Sequence, residues 1–426
     1  ESSADPINTA AFRAYSFIRH NNSGSANYDS PDLMLYFLAM GQVYSYLNFL
    51  QRAYGLCTTY AQKNRYLPDA LLNKMRIDPV SMRNNLASFR YGINALINKI
   101  ASMNVPATMS IFARHASLYQ NIYIEGASLK TQLYFYTPQG FWKYTLDQDR
   151  NFTGKLEYSD FVGDDLYTVD QLLDYGNDMI ARLIQSEDMN IMSGDILKAY
   201  GPNALIKLTP LPEMFQIIPI PDLAVLQQMK NATVVPVSKE SRDVVHSSNA
   251  GWLEFKPYMQ ADDYVNPSLE TTLVGAARDT LRTYEEKRIL TSASSEVTPE
   301  EVMESTRLMN ILQPANIDDE GYVSTYKVYP GTEIVTAVRY TYSTDTGDCD
   351  ELDTMGPNYV VPISVETRSS ALSSLKIQAV LANFKFHPAH HFISFYWDDD
   401  LGQTFIDQHM LNFDIDNYAI IDHEIL

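Results

Sequence analysis

The stretch Ser30–Leu56, SPDLMLYFLAMGQVYSYLNFLQRAYGL, decides how the rest of the chain must be arranged. Ser30 can accept a hydrogen bond from the free amides of a helix start, Pro31 suits a first-turn position that needs no N–H, and Asp32 suits the positive end of the dipole. Leu33, Phe37, Met40, Tyr44, Leu47 and Tyr54 recur at helical spacing. Met34, Leu38, Val43, Phe49 and Leu50 occupy the remaining faces, so little of the cylinder is left for water. A helix apolar nearly all round must be surrounded by protein or lipid. No charge falls between Leu33 and Gln51, but Gly41, Gln42, Ser45, Asn48 and the tyrosines make the run too polar for a strong spanning segment. The expectation is a central, buried helix.

The flanks read as companions to that helix. Asn8–Arg19 is a short amphipathic helix with Phe12, Tyr15, Phe17 and Ile18 as its apolar residues. Asn64 and Pro68 start a short helix through Leu71, Leu72 and Met75. Asp78 caps and Pro79 opens a longer one, whose stripe is Met82, Leu86, Phe89, Ile93, Leu96 and Ile100. Pro106 opens a fourth, with Met109, Phe112, Ala116 and Tyr119. Short loops between these helices imply one helical domain.

At Leu129 the period changes. Leu129, Leu133 and Phe135 alternate with Lys130, Gln132 and Tyr134, and Pro138-Gln139-Gly140 separates them from the run Phe141–Tyr144, which suggests a hairpin. Asp147–Gly154 is polar and reads as a hinge. Thr168 and Gln171 form a capping box ahead of Leu172, Leu173, Ile180, Leu183 and Ile184. Pro202–Pro257 suits irregular β-structure. Thr298, Pro299 and Glu301 repeat the capping grammar before Val302, Met303, Met309 and Leu312. Tyr326–Tyr342 and Val360–Val365 read as strands around the acidic loop Asp345–Asp353, and aromatic density returns from Leu381 to Leu426.

A chain of 426 residues can bury a large core and divides into roughly two or three domains. Its 29 tyrosines suit extensive protein–protein contact. The net charge of −20 is uneven: residues 1–150 hold 14 Lys+Arg against 9 Asp+Glu, a balance of +5, and the rest hold 18 against 43, a balance of −25. The acidic part repels nucleic acid, while the basic part could face a polyanion. Cys57 and Cys349 make neither a disulfide framework nor a paired-cysteine zinc site, which points to a reducing compartment. No signal or transit peptide is recognisable. The Asn-x-Ser/Thr matches at Asn21, Asn151 and Asn231 are near the chance rate.

Candidate chemistry is sparse. Asp345-Thr346-Gly347 matches the tripeptide of aspartic proteases, whose mechanism needs two such aspartates sharing a proton. No second copy exists, and Asp348, Asp350, Glu351 and Asp353 surround the first, so a solvated acidic turn is the better reading. The spacing and central glycine of an EF-hand are missing. His387, His390 and His391 with Asp398, Asp399 and Asp400 are the best metal candidates, yet Pro388 breaks the helical geometry that H-E-x-x-H zinc sites require. There is no G-x-S-x-G, no P-loop and no G-x-G-x-x-G. Neither catalytic, cofactor-binding nor metal residues are assigned, and no cofactor is expected.

Several stretches do carry a resemblance. RHNNSGSANY (Arg19–Tyr28), DLMLYFLAM (Asp32–Met40), NRYLPDALL (Asn64–Leu72), VPATMSIFARHA (Val105–Ala116) and QLYFYTPQGFWKY (Gln132–Tyr144) resemble, in order, the capsid proteins of picobirnaviruses, which are double-stranded RNA viruses. NIMSGDILKAYG (Asn190–Gly201) and STRLMNILQ (Ser305–Gln313) continue the match more sparsely. The resemblance implies an α+β capsid subunit: an α-rich shell domain (residues 1–154 and 381–426) with an inserted mixed α/β protruding domain (155–380). It implies symmetric homodimers as the repeating unit of an icosahedral T=1 shell. Such a shell, assembled in the host cytoplasm, would enclose double-stranded RNA without sequence preference and meet a host receptor that the residues do not identify. Family members carry a basic N-terminal segment removed at least in part by self-cleavage. This chain begins at Glu1, just before the first matched helix, so no self-cleavage residues are assigned and RNA contacts by an arm are not placed. The rival reading is a metal-dependent hydrolase using His387, His390 and His391.

Overall fold

The computed structural model describes residues 6–22, 27–60, 67–124, 133–147, 153–161, 165–222, 225–226, 243–246 and 251–255, together with short strands between 259 and 425. Helix α1 (Pro6–Asn21) precedes α2 (Ser30–Tyr60), which is 31 residues long and forms the axis of the fold. Every residue of α2 from Leu33 to Leu56 is buried. Among the described residues it is the one helix long and apolar enough to cross a membrane, and its whole apolar window lies inside protein. The cap sits one residue earlier than expected. Asp29 Oδ1 accepts the Asp32 amide at 3.1 Å, Asp32 Oδ2 accepts the Asp29 amide at 3.2 Å, and the Asp29 carbonyl takes the amide of Leu33. Two aspartates thus make a reciprocal box at the positive end of the dipole.

The tyrosines of α2 behave as staples rather than as contact surface. Tyr36 donates to the carbonyl of Asn104 at 2.7 Å, Tyr44 to Ile206 at 3.2 Å, Tyr46 to Leu172 at 2.7 Å and Tyr54 to Glu213 at 2.7 Å. Each ring fills core volume, and each hydroxyl satisfies a carbonyl on a different segment, which an aliphatic side chain could not do. These four tyrosines thus serve the interior of the subunit.

Around α2 pack α1, α3 (Leu67–Lys74), α4 (Pro79–Ile100), α5 (Ser110–Gln120) and α6 (Val169–Ile184), and α7 (Glu187–Tyr200) lies against α1 and α6. Asp78 caps α4 by accepting from the Val80 amide, and Met82, Phe89, Ile93, Leu96 and Ile100 are buried as the stripe requires, with Leu86 half-buried beside them. Thr168 and Gln171 form the expected box on α6. The two helices approach closely because each offers a glycine: a Cβ on Gly92 would lie 2.4 Å from Leu173 Cδ1, and one on Gly176 would lie 2.8 Å from Leu96 Cδ1. One hydrophobic cluster runs from Ala11 to Phe255.

Strands frame this helical body. β1 (Val105–Pro106) pairs with β6 (Leu205–Ile206), so Pro106 belongs to a strand and α5 begins only at Ser110. β2 (Tyr123–Ile124) and β3 (Leu133–Pro138) join a sheet of order β13-β12-β16-β3-β2, in which β12 is Glu333–Ser343, β13 is Cys349–Asp353 and β16 is Tyr418–Ile425. β4 (Gly140–Asp147) and β5 (Thr153–Asp160) belong to another sheet, completed by β7 (Val244–His246) and β8 (Leu253–Glu254). The expected hairpin across Pro138-Gln139-Gly140 is therefore a corner between two sheets. β3 is buried on both faces and pairs in parallel with β16, and the real hairpin is β4–β5, from Gly140↔Asp160 to Asp147↔Thr153.

The stretch Asp147–Gly154 joins the paired ends of β4 and β5, and these strands pack with α6 and α7 on the one core. One further expectation changes. In α1 the buried residues are Ala11, Ala14 and Ile18, whereas Phe12 and Phe17 face outward. Beyond the core, β9 (Met259–Ala261), β10 (Ile311–Ile317) and β11 (Val323–Tyr329) form a sheet of order β10-β11-β9, and β14 (Phe395–Asp398) pairs with β15 (Gln403–Ile406). The Tyr326–Tyr342 reading thus divides into β11 and β12. Val360–Val365, Asn64 and the box at Thr298 lie outside the described residues.

Candidate functional site

His387, His390, His391, Asp399, Asp400 and the tripeptide Asp345-Thr346-Gly347 lie outside the described residues. Asp398 ends β14 opposite Gln403. Cys349, Asp350, Glu351 and Asp353 stand on β13, paired with β12, so the second half of the acidic loop is strand. Cys57 is half-buried on α2, and burial pushes its thiol up to about 12, which keeps it protonated and unreactive at neutral pH.

The structure brings together a cluster that the sequence did not suggest. Asp29 Oδ2 lies 3.6 Å from His246 Nε2, and Asp32 Oδ1 lies 3.7 Å from His246 Nδ1. Within the cluster one ligand atom from each residue lies within 4.8 Å of the others. Burial, then the neighbouring Asp29 charge, raises the Asp32 carboxyl from 3.8 to about 6. A zinc site would want a fourth ligand, and the inner carboxylate oxygens are already engaged with the α2 amides. The cluster is accounted for as a helix cap with a histidine from β7 laid across it. Of the three, only Asp32 stood out in the sequence, as a charge at the positive end of α2; His246 is more than two hundred residues away.

Arg52 is the second feature missed. It is fully buried near the C-terminal end of α5, where its guanidinium donates to the carbonyls of Leu118 and Asn121 at 3.4 Å and of Tyr136 at 2.5 Å. The rings of Phe135 and Phe49 lie 5.1 and 5.8 Å from its Cζ. Burial lowers its pKa to about 9, so it stays charged at neutral pH. A cation set against the negative end of a helix ties α2 to α5 and β3. Arg114 is buried too, so two of the positive charges counted for the N-terminal part are withdrawn from any surface.

Some large apolar side chains are exposed at fixed points of the surface. A strap of residues 209–217 crosses the C-terminal half of α2. Gln51 donates to Thr209 at 3.3 Å, the Leu211 amide donates to Asn94 Oδ1 at 2.6 Å, and the Ile217 amide donates to Thr59 at 2.8 Å. Thr58 also bonds the carbonyl of Phe215. Leu211 and Ile217 turn inward, while Met214 and Ile218 are 79% and 81% exposed. Tyr91 on α4 is 77% exposed and Phe12 on α1 63%. Large apolar side chains held outward on a pinned backbone suit contact with another protein surface.

A chain that turns its buried ionisable groups to holding its own backbone, and its exposed apolar groups to a rigid exterior, has the build of a structural subunit. The comparisons agree. The model of the picobirnavirus capsid protein family matches residues 1–392, and the chain belongs to that family. It is 33% identical over 233 residues to a capsid protein precursor of Human picobirnavirus (strain Human/Thailand/Hy005102/-), covering 54% of this chain and 42% of that relative. The chain thus spans under half the length of that relative. An X-ray crystallographic structure of the picobirnavirus capsid shares its fold at a TM-score of 0.59 and 23% identity, over 77% of this chain and 63% of that one. The family is one of structural coat proteins, not of enzymes, which removes the hydrolase reading of His387, His390 and His391.

Proposed function

We propose that copies of this chain pair as symmetric dimers and close into an icosahedral T=1 shell around a double-stranded RNA genome. The observation that carries this reading is the family match over residues 1–392, together with apolar side chains fixed outward on the pinned strap and on α1 and α4. The shell domain would comprise the helical core and the C-terminal return; the parallel pairing of β16 with β3 supports that return. The acidic remainder, including the β10-β11-β9 sheet, would protrude outward. RNA contact would be electrostatic and non-specific, from basic residues such as Arg13 and Arg19, which are exposed on α1. Assembly in the host cytoplasm fits a chain without a disulfide framework.

The test is light scattering of purified subunits across a salt series, with and without double-stranded RNA. Shell formation without RNA should survive moderate salt, because screening over about 8–10 Å relieves repulsion between acidic insertions. RNA retention should weaken as salt rises. Assembly that strictly requires RNA and collapses with salt would contradict the reading.

A further inference from the structure

The helix α2 carries many polar side chains in its buried run, and all but one have an internal use. Gln42 accepts the Trp142 amide at 3.3 Å, Ser45 donates to Gly41 at 2.7 Å, the tyrosines and Arg52 bind carbonyls, and Gln51 Nε2 donates to Thr209. Asn48 is the exception. It is 3% exposed and makes no hydrogen bond with any described residue. Its side chain lines an open-mouthed cavity of about 420 Å³ between α2, α5 and the strap. Gln51, one turn along the same face, lines it too, with only its Nε2 engaged. The Asn48 carboxamide therefore keeps its donor and acceptor for whatever occupies the cavity.

The rest of the lining fixes the chemistry of an occupant. Phe112, Ala116, Leu208 and Phe215 are apolar, Gln120 and Thr209 add uncharged polar groups, and Tyr44 has committed its hydroxyl to the Ile206 carbonyl. Lys207 is the single charged residue of the lining, and its ammonium points elsewhere, to the carbonyls of Ala101 and Met103 and to Asn104 Oδ1. No charge is therefore offered to a ligand. From the three carboxamides of Asn48, Gln51 and Gln120, set against apolar side chains in a lining without a free charge, we infer that this cavity binds an uncharged amphiphile: an aliphatic chain ending in a group that both donates and accepts, such as a fatty amide. The volume lies in the range of small-molecule sites.

The test is calorimetric titration and thermal unfolding of the full chain with decanamide, and with decanoate as the charged control. Decanamide should bind one per chain and raise the melting temperature saturably, while decanoate should bind at least about tenfold more weakly, since the lining offers its charge no cationic partner. Asn48→Leu should fold, keep or raise the ligand-free melting temperature, and lose decanamide affinity by roughly tenfold, the size expected for one or two neutral hydrogen bonds. Ala116→Phe, which fills the opposite wall, should block binding altogether. Absence of saturable decanamide binding to the wild type would overturn the proposal, as would equal affinity for amide and carboxylate or unchanged affinity in both variants. These outcomes do not depend on shell formation, so the proposed assembly could fail while this site stands, or the reverse.

Discussion

Helices α1 and α2 lie against each other and treat their aromatic residues in opposite ways. In α2, Phe37, Tyr46 and Phe49 are sealed inside the fold, and no face is left for water. In α1, alanines and Ile18 meet the core while Phe12 and Phe17 point away, Phe17 resting on Tyr200 of α7 at 4.7 Å between ring centroids. The difference is one of available space. α1 docks on the crowded flank of α2, where the close approach admits Ala11 and Ala14 but not a phenyl ring. Hydrophobicity alone thus does not assign a side chain to the interior; small residues mark the tighter contact. The rings left outside are free to meet a second protein, which a ring in the core cannot do.

The comparison would break first in the core. Phe49→Ala should destabilise the subunit by about 3–5 kcal/mol in denaturant unfolding, and Phe89→Ala on α4 by a similar amount, because neither site can collapse around the void. A loss below about 1 kcal/mol at either position would mean that the stripe is misplaced. Tyr46→Phe sharpens the staple argument. It keeps the ring and removes the bond to the carbonyl of Leu172, which keeps its helical partner in α6, and should cost about 0.5–1.5 kcal/mol with no change of fold by circular dichroism.

How much of this was legible follows from where each signal is local. The caps at Asp78 and at Thr168–Gln171, and the stripes behind them, are written within a few residues, and they appear as read. So does the buried state of α2, since an apolar cylinder has few alternatives. The corner at Pro138-Gln139-Gly140 misled because a turn between two aromatic runs does not say which strands they will pair with. β3 finds β16, almost three hundred residues away. Its alternation was no guide either, as both faces are covered. Arg52 and Asn48 sit in the same helix and look equally out of place in sequence; only the tertiary neighbours show that one is bonded to three backbone carbonyls and the other faces a cavity.

A gentler probe addresses the N-terminal end of α2. Folded Asp32 keeps its proton up to pH about 6, whereas an ordinary aspartate loses it near 3.8. The folded state therefore takes up a proton as pH falls through that window, so this group's stabilising contribution is present at low pH and is lost as pH rises through about 6. Relative to Asp32→Asn, the wild type should gain stability between pH about 7 and about 5 in parallel urea titrations. A constant difference would show that Asp29 and burial do not perturb the carboxyl. The smallest effect on stability belongs to the outward rings. Phe12→Ser, and Met214→Ser on the strap, should change subunit unfolding by no more than about 0.5 kcal/mol while slowing assembly; a large loss would place either residue in the core.

The most direct test of the central claim is electron microscopy of the purified full chain beside the double variant Met214→Glu/Ile218→Glu, without RNA and at moderate salt. The account predicts closed shells from the wild type, and folded but unassembled subunits from the variant, because two carboxylates would be buried at a contact built for apolar side chains. Shells of equal yield from both proteins would contradict it, as would a wild type that remains a small soluble species at every concentration and salt.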